Sequence, residues 1–170
     1  MNRQTHRGAV KVLLSTVVCL VGFLVADMSS AQSVGDKATF SDLMTFDGST
    51  VKAEDLKGRP VLLYFWASWC PTCTKEMPLL KKTYAKYKDK GFEILAVSFR
   101  DEPAKAQAFF KGNGIEFPGG LADATYNANY PNLQGTPTWF LIDRLGVIRA
   151  KVVGKEDVRW ELEKALGALL

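Results

Sequence analysis

One stretch limits the folds open to this chain more than any other: an apolar strand signature runs straight into a helical one, and a second strand signature follows. Val61-Leu62-Leu63-Tyr64-Phe65-Trp66 is unbroken and apolar. Such a run suits a strand covered on both faces rather than one wetted at alternate residues. From about Cys70 to Lys90 the spacing becomes helical. Met77, Leu80, Tyr84 and Tyr87 share one face, and Lys75, Lys81, Lys82, Lys86 and Lys88 lie largely off it. Pro78 inside this helix is expected to kink it, and Gly91 supplies a stop. Phe92 to Phe99 reads as a second buried strand. A strand, a long helical crossover and a strand form a βαβ unit, so the two strands should run parallel.

The rest of the chain builds around that unit. Thr39-Phe40 and Thr50-Val51 flank Phe46-Asp47-Gly48-Ser49, whose Asp-Gly step signals a hairpin turn. Pro103 opens a short helix to about Lys111, closed by Gly112 and Gly114. Residues 115–135 give no clear periodicity. Thr138 to Ile142 reads as a strand, Asp143-Arg144-Leu145-Gly146 as a turn, and Val147 to Val153 as an antiparallel return with Arg149 and Lys151 on one face. A last helix carries Val158, Leu162, Ala165, Leu166 and Leu169 on one side. The expectation is α/β: helices layered on a mixed central sheet, with no linker or repeat between residues 34 and 170.

The first 31 residues read differently. Arg3, Arg7 and Lys11 precede an apolar run from Val12 to Ala26, and Ser29 and Ala31 place small residues where a signal peptidase cuts. The run falls short of the roughly 17–25 residues a spanning helix needs. A cleaved signal peptide is therefore expected, with an uncleaved membrane anchor as the alternative. The destination is the periplasm or exterior, where disulfides persist. Cleavage removes His6, the single histidine, and Cys19, leaving Cys70 and Cys73. A domain without histidine cannot run Cys-His or Ser-His-Asp catalysis. The net charge of +4 over 170 residues, without basic clusters among aromatics, gives nucleic-acid binding little support.

Chemistry concentrates in Phe65-Trp66-Ala67-Ser68-Trp69-Cys70-Pro71-Thr72-Cys73-Thr74-Lys75-Glu76-Met77-Pro78. The cysteines stand at i and i+3 where a buried strand feeds a helix. The helix N-terminus offers unpaired N–H groups and about +0.5 of an elementary charge, which stabilises a thiolate at Cys70. Pro71 fits the first turn, where its missing N–H costs nothing. A disulfide closing so short a loop is a poor staple, and two sulfurs alone cannot complete a four-ligand zinc site. The expectation is dithiol exchange, with two inert core cysteines as the alternative: Cys70, the more exposed, attacks, and Cys73 resolves the mixed disulfide. No metal and no cofactor is expected. Trp66 is expected in the core and Trp69 on an exposed docking rim, with Trp139 open to either.

The Trp-Cys-x-x-Cys motif after an apolar strand resembles thioredoxin, and the longer segment resembles the exported TlpA/ResA/CcmG (DsbE) family of thiol–disulfide oxidoreductases. The likeness runs through Val34-Gly35-Asp36, Leu56-Lys57-Gly58 and Gly135-Thr136-Pro137-Thr138 to Phe140-Leu141-Ile142-Asp143. It implies a thioredoxin-like three-layer sandwich with an N-terminal hairpin extension and an inserted helix. It also implies a cis Pro137 beside the dithiol, exposing the Thr136 backbone for an extended substrate. Substrate contact then falls to Trp69, Pro71, Thr72, Thr136 and Pro137. Glu76 takes the place of an acid characteristic of the ResA and TlpA branch, where it shuttles a proton or tunes the thiols; a solvated helix carboxylate is the alternative. Thioredoxin's own buried acid has Tyr64 at the matching position. The resemblance implies a reductant of disulfides in exported proteins, apocytochrome c among them, fed by a membrane electron donor. A peroxiredoxin-type thiol peroxidase would need Thr or Ser three residues before its cysteine and Pro seven before; Ala67 and Leu63 stand there. The third reading is a non-enzymatic binding module on the same fold.

Overall fold

A computed structural model describes residues 32–154 and 159–169. The expected targeting segment, with His6 and Cys19, and the Val158 position of the last helix lie outside the described residues. The strands are β1 (Leu43–Met44), β2 (Thr50–Val51), β3 (Val61–Trp66), β4 (Glu93–Ser98), β5 (Gly119–Leu121), β6 (Thr138–Ile142) and β7 (Ile148–Val153). The helices are α1 (Pro71–Tyr87), α2 (Pro103–Gly112), α3 (Ala124–Asn129) and α4 (Arg159–Leu169). Among the described residues no helix is long and apolar enough to cross a membrane.

The main sheet has the order β5-β4-β3-β6-β7. β3 and β4 run parallel, as the βαβ reading requires, with Val61 opposite Glu93 and Trp66 opposite Ser98. β5 continues the parallel half, while β6 and β7 are antiparallel to their neighbours. Every residue of β3 and β4 is buried. Strand alternation sends Leu62, Tyr64 and Trp66 into one core with α1, α2 and α4, and Val61, Leu63 and Phe65 into the other with Tyr126, Tyr130 and Phe140. The result is the three-layer sandwich. A fully buried Leu or Phe at these positions contributes roughly 1.5–3 kcal/mol.

Three local expectations change. The first hairpin strand is Leu43–Met44, not Thr39–Phe40. The Thr39 and Ser41 carbonyls instead accept from the Tyr130 and Tyr126 hydroxyls at 2.9 and 2.8 Å, so that segment serves the second core. The Asp47-Gly48 turn itself is present, closed by Thr45 N–H donating to the Ser49 carbonyl at 2.9 Å. The long helix ends at Tyr87 and tightens into a 3₁₀ turn over Lys88–Lys90 before Gly91, whose φ of +88° is left-handed. Within residues 115–135 lie β5 and α3. β5 begins with two glycines, which have no strand propensity to betray them. Gly120 is required there: a Cβ would strike the Met44 carbonyl of the hairpin laid against it.

Candidate active site

β3 and β4 are parallel neighbours, so both end at the same edge of the sheet, and the site forms there. Phe99 N–H donates to the Trp66 carbonyl at 2.8 Å, fixing where β3 stops. Cys70 N–H then donates to the Ala67 carbonyl at 3.2 Å, closing a tight turn. Cys70 is the N-cap of α1, with extended backbone and Pro71 in the first turn. Its sulfur accepts from Cys73 N–H at 3.2 Å, one of the donors a helix start leaves unpaired. Cys70 and Cys73 are joined as a disulfide, with Cα atoms 5.3 Å apart. Cys70 is the more exposed of the two, yet it is only 4% exposed, and Cys73 is fully buried. The sequence anticipated that order; the near-closure of Cys70 comes from the chain that faces it across the sheet edge.

That facing chain is Thr136-Pro137. Its peptide bond is cis. Cys70 Sγ lies 3.5 Å from the Thr136 carbonyl oxygen, and the Pro137 carbonyl accepts from Gly154 N–H at 2.8 Å. Pro137 is buried and Thr136 half-buried, and the buried Thr136 hydroxyl finds no partner among the described residues. Pro71 is exposed and Thr72 half-buried on the helix side of the sulfurs.

Glu76 is buried at 5% exposure rather than solvated. It lies one turn beyond Cys73, on the inward face of α1 that also carries Cys73 and Met77. The Tyr64 hydroxyl donates to Glu76 Oε2 at 2.8 Å, and Glu76 Oε1 has no partner among the described residues. Burial pushes the carboxyl from 4.5 up to about 7, and the bond from Tyr64 pulls partway back. Tyr64 is itself held well above the usual tyrosine range, by burial first and by Glu76 second. Tyr64, the position that the resemblance matches to thioredoxin's buried acid, thus grips an acid carried on the helix. Sequence alone did not join the two. The available signal was that strand residues of even number face α1.

Of the tryptophans, Trp66 and Trp139 are buried and Trp69 is 61% exposed. The Trp69 indole N–H donates to the Arg100 carbonyl at 3.1 Å. Arg100 and Asp101, at the exit of β4, were missed from sequence because no motif marks them. The parallel pairing of β3 with β4 was the signal that could have found them. A cavity of about 720 Å³ between the hairpin, α2 and β5, lined by Leu43, Met44, Phe46, Pro103 and Gln107, includes none of the expected site residues.

The Redoxin family pattern matches residues 33–169. The thiol-disulfide oxidoreductase ResA of Geobacillus kaustophilus is 34% identical over 170 residues, covering 96% of this chain and 98% of the relative. ResA of Bacillus cereus is 32% identical over 168 residues, with 94% and 96% covered. Among solved structures, one from Chlorobium tepidum described as a thiol:disulfide interchange protein DsbE superposes with a TM-score of 0.74 at 34% identity. It covers 82% of this chain and 99% of that one.

Proposed function

This chain belongs to the Redoxin family and is a thiol–disulfide oxidoreductase, and from that premise we propose that it is exported and reduces disulfides in exported proteins. The observation that carries the exchange chemistry is the Cys70–Cys73 disulfide at the start of α1, with Cys70 Sγ 3.5 Å from the Thr136 carbonyl. A membrane electron donor returns the pair to dithiol. Cys70 thiolate then attacks a substrate sulfur, and the substrate's other sulfur leaves as thiolate. Cys73 thiolate attacks Cys70 in the resulting mixed disulfide, the second substrate thiolate departs, and the Cys70–Cys73 bond re-forms. An extended substrate pairs with the Thr136 backbone beside cis Pro137, and Pro71, Thr72 and Trp69 form the rest of its seat. Glu76, one turn from Cys73 and protonated up to about pH 7, takes the Cys73 proton as resolution begins once it has ionised.

Direction follows from which redox form the site favours. The helix N-terminus stabilises one thiolate. Above about pH 7 a buried Glu76 carboxylate on the same face opposes negative charge on the sulfurs, and Pro71-Thr72 between them offers no compensating cation. The dithiolate form is therefore disfavoured and the disulfide favoured, which makes the reduced protein a donor of electrons. Apocytochrome c is the substrate that the family resemblance supports. Equilibration against glutathione buffers tests the direction: a potential more reducing than about −180 mV is expected, and one near −120 mV overturns the reading. Export is tested by sequencing the mature N-terminus, expected to begin after Ala31.

A further inference from the structure

The Asp101 carboxylate collects four donors. Oδ2 accepts from the Ser68 N–H and, at 2.9 Å, from the Ser98 hydroxyl. Oδ1 accepts from the Ser68 hydroxyl and the Glu102 N–H, both at 2.8 Å. Two of these come from Ser68, in the turn between β3 and Cys70. The other two come from the exit of β4. A carboxyl group places an oxygen before each pair of donors; an asparagine would offer one oxygen and turn an N–H toward the other pair. Arg100, immediately before, is the one described non-glycine residue with a left-handed backbone, at φ +51°. Such a conformation persists only where its surroundings hold it. Here the Arg100 carbonyl is the acceptor for the Trp69 indole N–H.

These contacts hold the two ends of the Ala67–Cys70 turn, itself closed by the Cys70 N–H on the Ala67 carbonyl, from different elements. Cys70 belongs to α1: Thr74 N–H donates to the Cys70 carbonyl at 3.1 Å, and Cys73 N–H to its sulfur. Trp69, one residue earlier and 61% exposed, is held from the β4 side through Arg100 and through Ser68. We propose that Asp101 is a positioning residue for substrate docking, fixing the Ser68-Trp69 turn so that the Trp69 ring stands as a rigid wall beside Cys70. A disulfide-bearing chain seated on the Thr136 backbone then meets a pre-set aromatic surface and loses no affinity to ordering it. The inference rests on the exchange reading above and concerns only how substrate is seated.

The full chain is assayed for reduction of insulin, with iodoacetamide as a small probe whose attachment to the Cys70 peptide is followed by mass spectrometry. Loss of insulin reduction in Cys70→Ser is scored first and belongs to the exchange reading alone. Asp101→Asn is expected to raise KM for insulin about tenfold with kcat within twofold. Its iodoacetamide rate against pH should overlay that of the unsubstituted protein. Ser68→Ala, which keeps the backbone donor and removes only the hydroxyl, should move KM the same way by less, and serves if Asp101→Asn does not fold. Trp69→Ala should raise KM to the level of Asp101→Asn, and the double variant no further, because both act through one ring. The inference is overturned by an unchanged KM in Asp101→Asn and Ser68→Ala, by additive effects in the double variant, or by a displaced iodoacetamide profile.

Discussion

Replacing Glu76 by glutamine should remove a defined part of the pH dependence of stability. The carboxyl is 5% exposed, and burial carries it from 4.5 to about 7 in the folded protein. In the unfolded chain it returns to the ordinary value. Between those limits the folded state holds a proton that the unfolded state has released, so stability falls as pH rises. The contribution is complete below the unfolded value and gone once pH has passed through about 7. Integrated from pH 5 to pH 8, the loss is about 2–3 kcal/mol, taking ~1.36 kcal/mol per unit. Glutamine keeps an oxygen for the Tyr64 hydroxyl and cannot ionise, so Glu76→Gln should lose less over the same range by that amount. Urea unfolding of the oxidised protein at pH 5 and pH 8, for both proteins, measures it. A difference between the two proteins that is the same at both pH values would refute the reasoning, because Glu76 would then titrate like an exposed carboxylate.

Two further outcomes are expected. Tyr64→Phe removes the 2.8 Å bond that lowers Glu76, so the carboxyl should titrate higher than about 7; the protonated-carboxyl band in infrared spectra taken against pH reads the direction, and the unpartnered acid should cost about 1–3 kcal/mol in unfolding experiments. Gly120→Ala drives a methyl into the Met44 carbonyl and the Leu43 side chain, and should destabilise by about 1–3 kcal/mol in thermal melts while insulin reduction is kept at temperatures below the melt.

The parts legible in the sequence were those set by repeated local pattern. Six consecutive apolar residues at Val61–Trp66 defined a central strand to the residue, and helical spacing from Met77 to Tyr87 named the buried face of α1. Cys70-Pro71-Thr72-Cys73 announced its chemistry because spacing, proline and helix start all constrain the same turn. What stayed hidden depended on tertiary partners. β5 is three residues long, two of them glycines held in place by Phe110 and the hairpin. The burial of Glu76 depends on what covers one face of α1. Periodicity placed Met77 and Leu80 inward but had no term for a carboxylate whose partner is Tyr64, twelve residues back on a strand. Asp101 acts through Ser68, thirty-three residues away, and only the register of β3 beside β4 brings the two together.

The exchange mechanism requires Cys70 as the attacking sulfur and Cys73 as the one that releases the product. The most direct measurement is mass spectrometry of Cys73→Ser and Cys70→Ser after each is reduced and mixed with a disulfide-bearing protein such as insulin. Cys73→Ser should accumulate a covalent adduct through Cys70, and Cys70→Ser should accumulate none. Equal adducts on both variants, or none on either, would contradict it.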